Sequence, residues 1–296
     1  MLQKNTDPQA LTRDLQLLLD RLLALGFIVN TAKSDLVPAK DFVHLGMHFQ
    51  TDLGCVKITD KRREKLLLTV QALLAVQTTT PRQVAGVIGL CAAAAELVPL
   101  GRLHIRALQW ALADLWCQKT ALWDVNIPVS SGLRAALEPW LRQDWLMTGV
   151  PLELPIPSVT MCTVASMIGW GAHLLPDFIT CAGGWTPQES LLHINELEML
   201  AVSRAMTWWK DRLRNQAVML MSDNTTVVAY VKNQGGTHSR SLCTLTVSLL
   251  QWCAALDIHL TVRHIPGRLN IMADGLSRAQ SQPNEWSLHQ QVFRKI

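Results

Sequence analysis

Carboxylates at three points in the second half of the chain could converge on one centre: Glu196 with Glu198, Asp223, and Asp274. Asp223 follows the apolar run Ala217 to Met221 and precedes a helical pattern, so a strand would present its side chain at a sheet edge. Glu196 and Glu198 share one predicted helix but point about 200° apart around it, so only one of them can face a given site. Converging carboxylates are hard oxygen ligands suited to Mg²⁺ or Mn²⁺. Two such cations about 4 Å apart can clamp the attacking and leaving oxygens of a phosphodiester while the acids offset their mutual repulsion. Taken singly, each acid reads as a helix cap or a surface charge; the joint pattern is what is specific.

The elements that must carry these residues are legible in periodicity and caps. Asp7-Pro8 followed by leucines 11, 15, 18, 19, 22 and 23 predicts a capped amphipathic helix that stops near Gly26. The runs Val43 to Phe49 and Val56 to Ile58, separated by Thr51-Asp52-Leu53-Gly54, predict a hairpin. Helices are predicted over 60–76, from Thr80-Pro81 onward, over 102–118 and over 130–147. Gly149, Pro151, Pro155 and Pro157 then mark a linker, which places a domain boundary between residues 150 and 151. Beyond it, strands are predicted near 159–166, 168–174 and 178–185, with an Asn195-capped helix to about Arg214. A strand over 217–221, helices near 224–233 and 239–255, a strand over 258–264 and a short helix over 271–278 complete the order. Strands alternating with helices predict an α/β unit, a mixed sheet with flanking helices, preceded by a mostly α region.

A chain of 296 residues with 49% hydrophobic and 17% charged residues can bury a sizeable core, which argues against disorder. The seven cysteines are scattered without CxxC spacing, so neither a disulfide framework nor a zinc site is indicated and reduced, intracellular thiols are expected. The apolar run Val84 to Ala95 is too short to span a bilayer, and the first residues lack the charged-then-apolar order of a leader, so a soluble protein without a membrane partner is expected. A net charge of +4 permits nucleic-acid binding without demonstrating it. The local clusters Lys61-Arg62-Arg63-Glu64-Lys65 and Lys210, Arg212, Arg214 read as solvated helix faces or as a backbone footprint.

The stretch Thr163-Val164-Ala165-Ser166-Met167-Ile168-Gly169-Trp170-Gly171-Ala172-His173-Leu174 resembles the first hairpin of a retroelement ribonuclease H domain. Glu196-Leu197-Glu198-Met199-Leu200-Ala201, Ser222-Asp223-Asn224 and Ala273-Asp274-Gly275-Leu276-Ser277-Arg278 are similar to later motifs of the same domain, in the same order. The chain is similar to DIRS-like retrotransposon reverse transcriptase/ribonuclease H proteins over residues 159–290, including the tail Asn284-Glu285-Trp286-Ser287-Leu288-His289. The resemblance implies a ribonuclease H-like five-stranded sheet and an endonuclease that cleaves RNA in RNA–DNA hybrids. It implies Mg²⁺ or Mn²⁺ held by Glu198, Asp223 and Asp274, the same three residues being catalytic. Asn224 and Thr225 could bond a phosphate through backbone amides or simply cap a helix. Arg263 and His264 could approach a phosphate or departing product, or serve in core or surface. Trp110, Trp116, Trp140, Trp145, Trp208 and Trp209 read as packing residues rather than base-stacking platforms.

The pattern breaks at Val164, where the family carries an aspartate that contacts both metals. No acid lies between Glu153 and Asp177 to replace it, and Ser166, on the same strand face, offers only a neutral hydroxyl. Upstream, Gly26 to Asn30, Lys33 to Pro38 and Val43 to Met47 resemble a reverse-transcriptase palm just beyond its Tyr-x-Asp-Asp turn, and residues 78–108 resemble thumb and connection. The turn itself is absent: the one tyrosine is Tyr230 and no two aspartates are adjacent.

These readings predict a palm, thumb and connection remnant over 1–150 and a ribonuclease H-like domain with a C-terminal tail over 151–296. Nuclease activity should be impaired, cation binding weakened, and DNA synthesis absent from this chain alone unless a partner chain supplies the missing palm. The alternative is a non-catalytic nucleic-acid-binding or scaffold module of the same fold, and a third reading is a decayed frame.

Overall fold

The computed structural model describes residues 4–117 and 122–278. Asp7 accepts a hydrogen bond from the Gln9 amide and Pro8 occupies the first turn, starting α1 (Pro8–Ala24), which buries none of its residues. A meander follows: β1 (Asp41–His44), β2 (Met47–Gln50) and β3 (Cys55–Ile58). The run Val43 to Phe49 is therefore two strands rather than one. Leu45 (φ 50°) and Gly46 (φ 74°) form the left-handed two-residue turn that suits strand twist in tight hairpins.

Next come α2 (Asp60–Ala75), β4 (Thr78–Thr79), α3 (Pro81–Ala95), α4 (Gly101–Leu115) and β5 (Ile127–Pro128), which pairs with β4. The capping box of α3, Thr80 with Gln83, follows directly from its sequence. The predicted helix over 130–147 divides into α5 (Ser131–Leu137), a 3₁₀ turn at Glu138–Leu141 and α6 (Gln143–Thr148), because Pro139 has no N–H to continue the ladder. The stretch predicted as linker opens on a strand, β6 (Val150–Pro151), paired with β3. Ile58, Leu66, Val84, Leu108, Leu133 and Trp140 lie in the core of this first half.

The second half contains β7 (Val159–Ala165), β8 (Gly169–Leu175), β9 (Ile179–Gly184), α7 (Ile194–Trp208), α8 (Lys210–Leu213), β10 (Ala217–Ser222), α9 (Thr225–Lys232), α10 (Arg240–Ala255), β11 (His259–His264) and α11 (Ile271–Arg278). The sheet order is β11-β10-β7-β8-β9. β7, β8 and β9 are antiparallel, whereas β10 runs parallel to both β7 and β11. Parallel neighbours need crossover connections, and α7 to α8 and α9 to α10 supply them. Helix α7 buries Leu197, Ala201, Val202, Ala205 and Met206 in the core against the sheet, each large side chain contributing about 1.5–3 kcal/mol. Its cap is His193, not Asn195: His193 Nδ1 accepts the Asn195 amide, and Glu196 Oε2 accepts the His193 amide. The helix ends at Trp208 rather than running to Arg214.

Helix α11 is fixed at both ends to β7. Asn270 Nδ2 donates to Thr163 O (3.1 Å) and Ser166 Oγ donates to Ser277 O (2.8 Å). Between these ties it lies on β8, where a Cβ added at Gly171 would stand 2.4 Å from Leu276 Cβ and 2.6 Å from Ala273 O. The two halves meet at α4, whose Leu103 is buried in the core of the second half. Among the described residues, no helix is long and apolar enough to cross a membrane. The tail Asn284 to His289 lies outside the described residues, and α4 ends at Leu115, with Trp116 in extended conformation, short of the predicted end at Gln118.

Candidate active site

The fold brings Glu198, Asp223 and Asp274 to one region from three elements. Glu198 comes from α7 on one side of the sheet, Asp223 follows the last residue of β10, and Asp274 sits on α11. Asp223 lies close against the loop before α11: a Cβ at Gly267 would stand 3.1 Å from Asp223 Oδ2, so the absence of a side chain there leaves room for the carboxylate. Asp274 Oδ1 accepts a hydrogen bond from Arg278 Nη2 at 2.8 Å, one turn along the same helix.

The charges of Asp223 and Asp274 both act on Glu198. Glu198 is 5% exposed. Burial pushes its carboxyl up to about 8, a backbone hydrogen bond from Ala165 pulls it down, and the charges of Asp223 and Asp274 push it up further. Glu198 Oε2 and Asp223 Oδ1 are buried without a hydrogen-bond partner. Buried carboxylate oxygens in that state favour a proton or a cation.

The strand position at which the resemblance implies a fourth acid carries a hydrocarbon. Val164, 4% exposed, lies in register with Gly171, so its side chain is on the sheet face that α11 covers. Ser166 does not replace the missing acid, because its hydroxyl proton is engaged by Ser277 O and its oxygen accepts the amides of Ile168 and Gly169. Among the described residues, no group of three or more His, Cys, Asp or Glu side chains is arranged to hold a metal ion. The residues present, two orphaned oxygens, one acid engaged by an arginine and a valine, do not fit a two-cation centre.

The other predicted site residues divide by role. Asn224 is a helix cap: its Oδ1 accepts the amides of Thr226 and Val227, both at 3.0 Å, while its Nδ2 donates to Asn195 Oδ1 at 2.8 Å. Arg263 and His264 are exposed on β11, at the end beside Met221 and Ser222. Thr225 lines an open cleft of about 700 Å³ with His193, Asn195, Tyr230, His238 and Ser239. None of Glu198, Asp223 and Asp274 lines the cleft, but Asn195 lies three residues before Glu198 on α7 and Thr225 two residues after Asp223. Glu196, the acid that points away from Glu198, also lines it. The sequence reading names Asn195, Glu196 and Thr225 but not the cleft, which exists only where α7, α9 and α10 meet. Of the tryptophans, Trp116, Trp140 and Trp209 are buried, whereas Trp208 is exposed. Arg62 donates to Leu45 O and Arg212 pairs with Asp177, so both basic clusters are partly engaged in structure.

Three antiparallel strands extended by two parallel ones, in the order β9-β8-β7-β10-β11 with helices on both faces, define a ribonuclease H-like fold. No protein-family model and no curated protein matches the chain. Among solved structures it is similar to foamy viral protease-reverse transcriptase in complex with double-stranded DNA, at 18% identity over 88% of this chain and 44% of that one, with a TM-score of 0.42. It is also similar to LC11-RNase H1, isolated from compost, at 19% identity over 41% of this chain and 93% of that one, TM-score 0.33. A third is RNase H1 from the halophilic archaeon Halobacterium salinarum, at 16% identity over 42% of this chain and 96% of that one, TM-score 0.35. The chain spans less than half the length of the foamy viral protein. The strand order, not these likenesses, carries the fold assignment.

Proposed function

We propose that the chain is a reverse transcriptase/ribonuclease H fragment of the DIRS-like retrotransposon kind that binds RNA–DNA hybrid or duplex and cleaves it poorly or not at all. In this reading residues 1–150 are the palm, thumb and connection remnant and residues 151–296 the ribonuclease H-like domain. One strand lies in the cleft lined by Asn195, Thr225 and Tyr230, beside the acids. The observation that supports the reading is that Asp223 and Asp274 both act on buried Glu198, while β7 carries Val164 at the position where the resemblance implies a fourth acid. An isopropyl group there removes a full negative charge from a centre whose chemistry consists of stabilising developing charge, and each 1.36 kcal/mol so lost is about tenfold in rate.

The test is cleavage of a labelled RNA–DNA hybrid, with Mg²⁺ and with Mn²⁺, by the wild-type chain, by Val164→Asp, and by Val164→Asp combined with Asp223→Asn. Activity that appears only in the single restoration supports the fold reading, the three remaining acids and the lesion together. Robust cleavage by the wild type overturns the impairment. Salt-sensitive hybrid binding by the wild type, measured in parallel, supports the binding reading, and its absence removes it.

A further inference from the structure

The cleft has a wall that both halves hold: within the second half the Gly235 amide donates to Tyr230 O at 2.7 Å and the Gln234 amide to Val231 O at 3.2 Å. Residues 233–239, between α9 and α10, supply His238 and Ser239 to the cleft, and the Ser239 amide donates to Tyr230 Oη at 2.9 Å. On its other side the same loop is gripped by α4 from the first half. The Leu103 amide donates to Gln234 Oε1 (3.3 Å), Arg106 Nη2 to Asn233 O (3.4 Å) and Trp110 Nε1 to Gly236 O (3.2 Å). At the loop's end, Arg240 donates to Asp114 Oδ1 (2.6 Å) and sets its guanidinium carbon 4.8 Å from the centre of the Trp110 ring.

Only one layer of peptide separates α4 from the cleft. A Cβ at Gly235 would stand 3.2 Å from Arg106 Cγ, and a Cβ at Gly236 would stand 2.6 Å from Tyr230 Cζ. Two adjacent glycines pass where no side chain fits, and Gly235 takes φ 101°. A glycine pair has high backbone entropy when unrestrained, so the conformation of this wall depends on partners outside the loop. Those partners are α4 on one side and Tyr230, Val231 and Cys243, whose Sγ would stand 2.9 Å from a Cβ at Gly235, on the other.

We propose that α4 is the positioning element of the cleft: Trp110, and Asp114 through Arg240, hold the wall in the geometry that accepts a nucleic-acid strand, so strand binding by the second half depends on the first. This rests on the reading of the cleft as strand-binding. Neither Trp110 nor Asp114 touches the strand. The Asp114–Arg240 pair is half exposed and weak by itself, but with the indole hydrogen bond and the stacked guanidinium it fixes both the middle and the end of the loop.

The full chain is titrated with a fluorescent RNA–DNA hybrid at fixed salt without divalent cation, and amide exchange of residues 233–239 is followed in the free protein. Trp110→Phe, which keeps the ring but loses the donor, and Asp114→Arg should each weaken hybrid binding by about tenfold and speed exchange in the loop, with little change in melting temperature. Asp114→Arg combined with Arg240→Asp should recover most of the lost affinity, a rescue that general destabilisation does not produce. Ala229→Trp, which fills the cleft directly, should also weaken binding. If Ala229→Trp weakens binding while Trp110→Phe and Asp114→Arg bind as wild type, the positioning role is overturned and the strand-binding reading stands. Unchanged binding in Ala229→Trp overturns both.

Discussion

Val164 and Gly171 face each other across the β7–β8 ladder, and α11 rests on the glycine so closely that its Ala273 carbonyl and Leu276 Cβ occupy the space a side chain would take. The position of Asp274 thus depends on a hydrogen atom at residue 171. Gly171→Ala should push α11 off the sheet and cost about 1–3 kcal/mol. Gly275→Ala, on the same helix with nothing within 4 Å of its added Cβ, should instead gain about 0.5–1 kcal/mol by raising helix propensity. Urea denaturation of the pair tests this: equal effects of the two substitutions would mean that α11 is not seated as described.

In the proposed function, the cross-strand neighbour of that glycine limits the chemistry. Val164→Asp introduces a buried carboxylate beside three existing acids, and without a cation this uncompensated charge should destabilise the fold by about 3 kcal/mol or more. Divalent cation should then return stability, by about 2.7 kcal/mol at a hundred times its dissociation constant. The measurement is the melting temperature of wild type and variant with and without millimolar Mn²⁺. A cation-induced rise as large in the wild type as in the variant would show that Val164 does not limit cation binding.

Much of this arrangement was legible in the sequence, for identifiable reasons. The apolar run before Asp223 and the helical spacing of Leu197, Ala201, Val202 and Ala205 are local signals, and they locate β10 and α7. Asn224 carried two readings, phosphate contact and cap, and the structure shows the cap. The sequence does not signal the His193 cap, because histidine is not a preferred capping residue, and Asn195, which a cap reading would engage locally, instead bonds Asn224 and links α7 to α9. The break at Leu45-Gly46 carries no pattern signal, because apolar alternation continues through it and only the positive φ angles separate the strands. The cleft and its α4 clamp arise from residues more than a hundred positions apart, such as Trp110 with Gly236, which no local pattern reports.

The double role of Asn224 makes a separate prediction. Asn224→Ala deletes both the cap of α9 and the bond to Asn195, and should cost about 1–2 kcal/mol. Asn224→Ser can restore the cap but not the reach to Asn195, and should recover only part of that loss. Thermal denaturation separates the two contributions; no stability change in the alanine variant would mean that the side chain is engaged elsewhere.

Glu198 links the site to pH. Its carboxyl is lifted from the ordinary 4.5 to about 8, chiefly by burial, so the folded chain retains a proton that the unfolded chain releases between those values. The stability this contributes is complete below about 4.5 and is lost as pH rises through about 8, since the native state must then carry a buried charge beside Asp223 and Asp274. Glu198→Gln keeps the shape and the hydrogen-bonding carbonyl but has nothing to ionise. Wild type and variant should therefore unfold at similar denaturant concentrations near about pH 4, while at about pH 9 the variant should be more stable by on the order of a few kcal/mol. Parallel stability curves across that range would mean that Glu198 ionises in the folded protein as it does in water, and that the three acids do not share a desolvated centre.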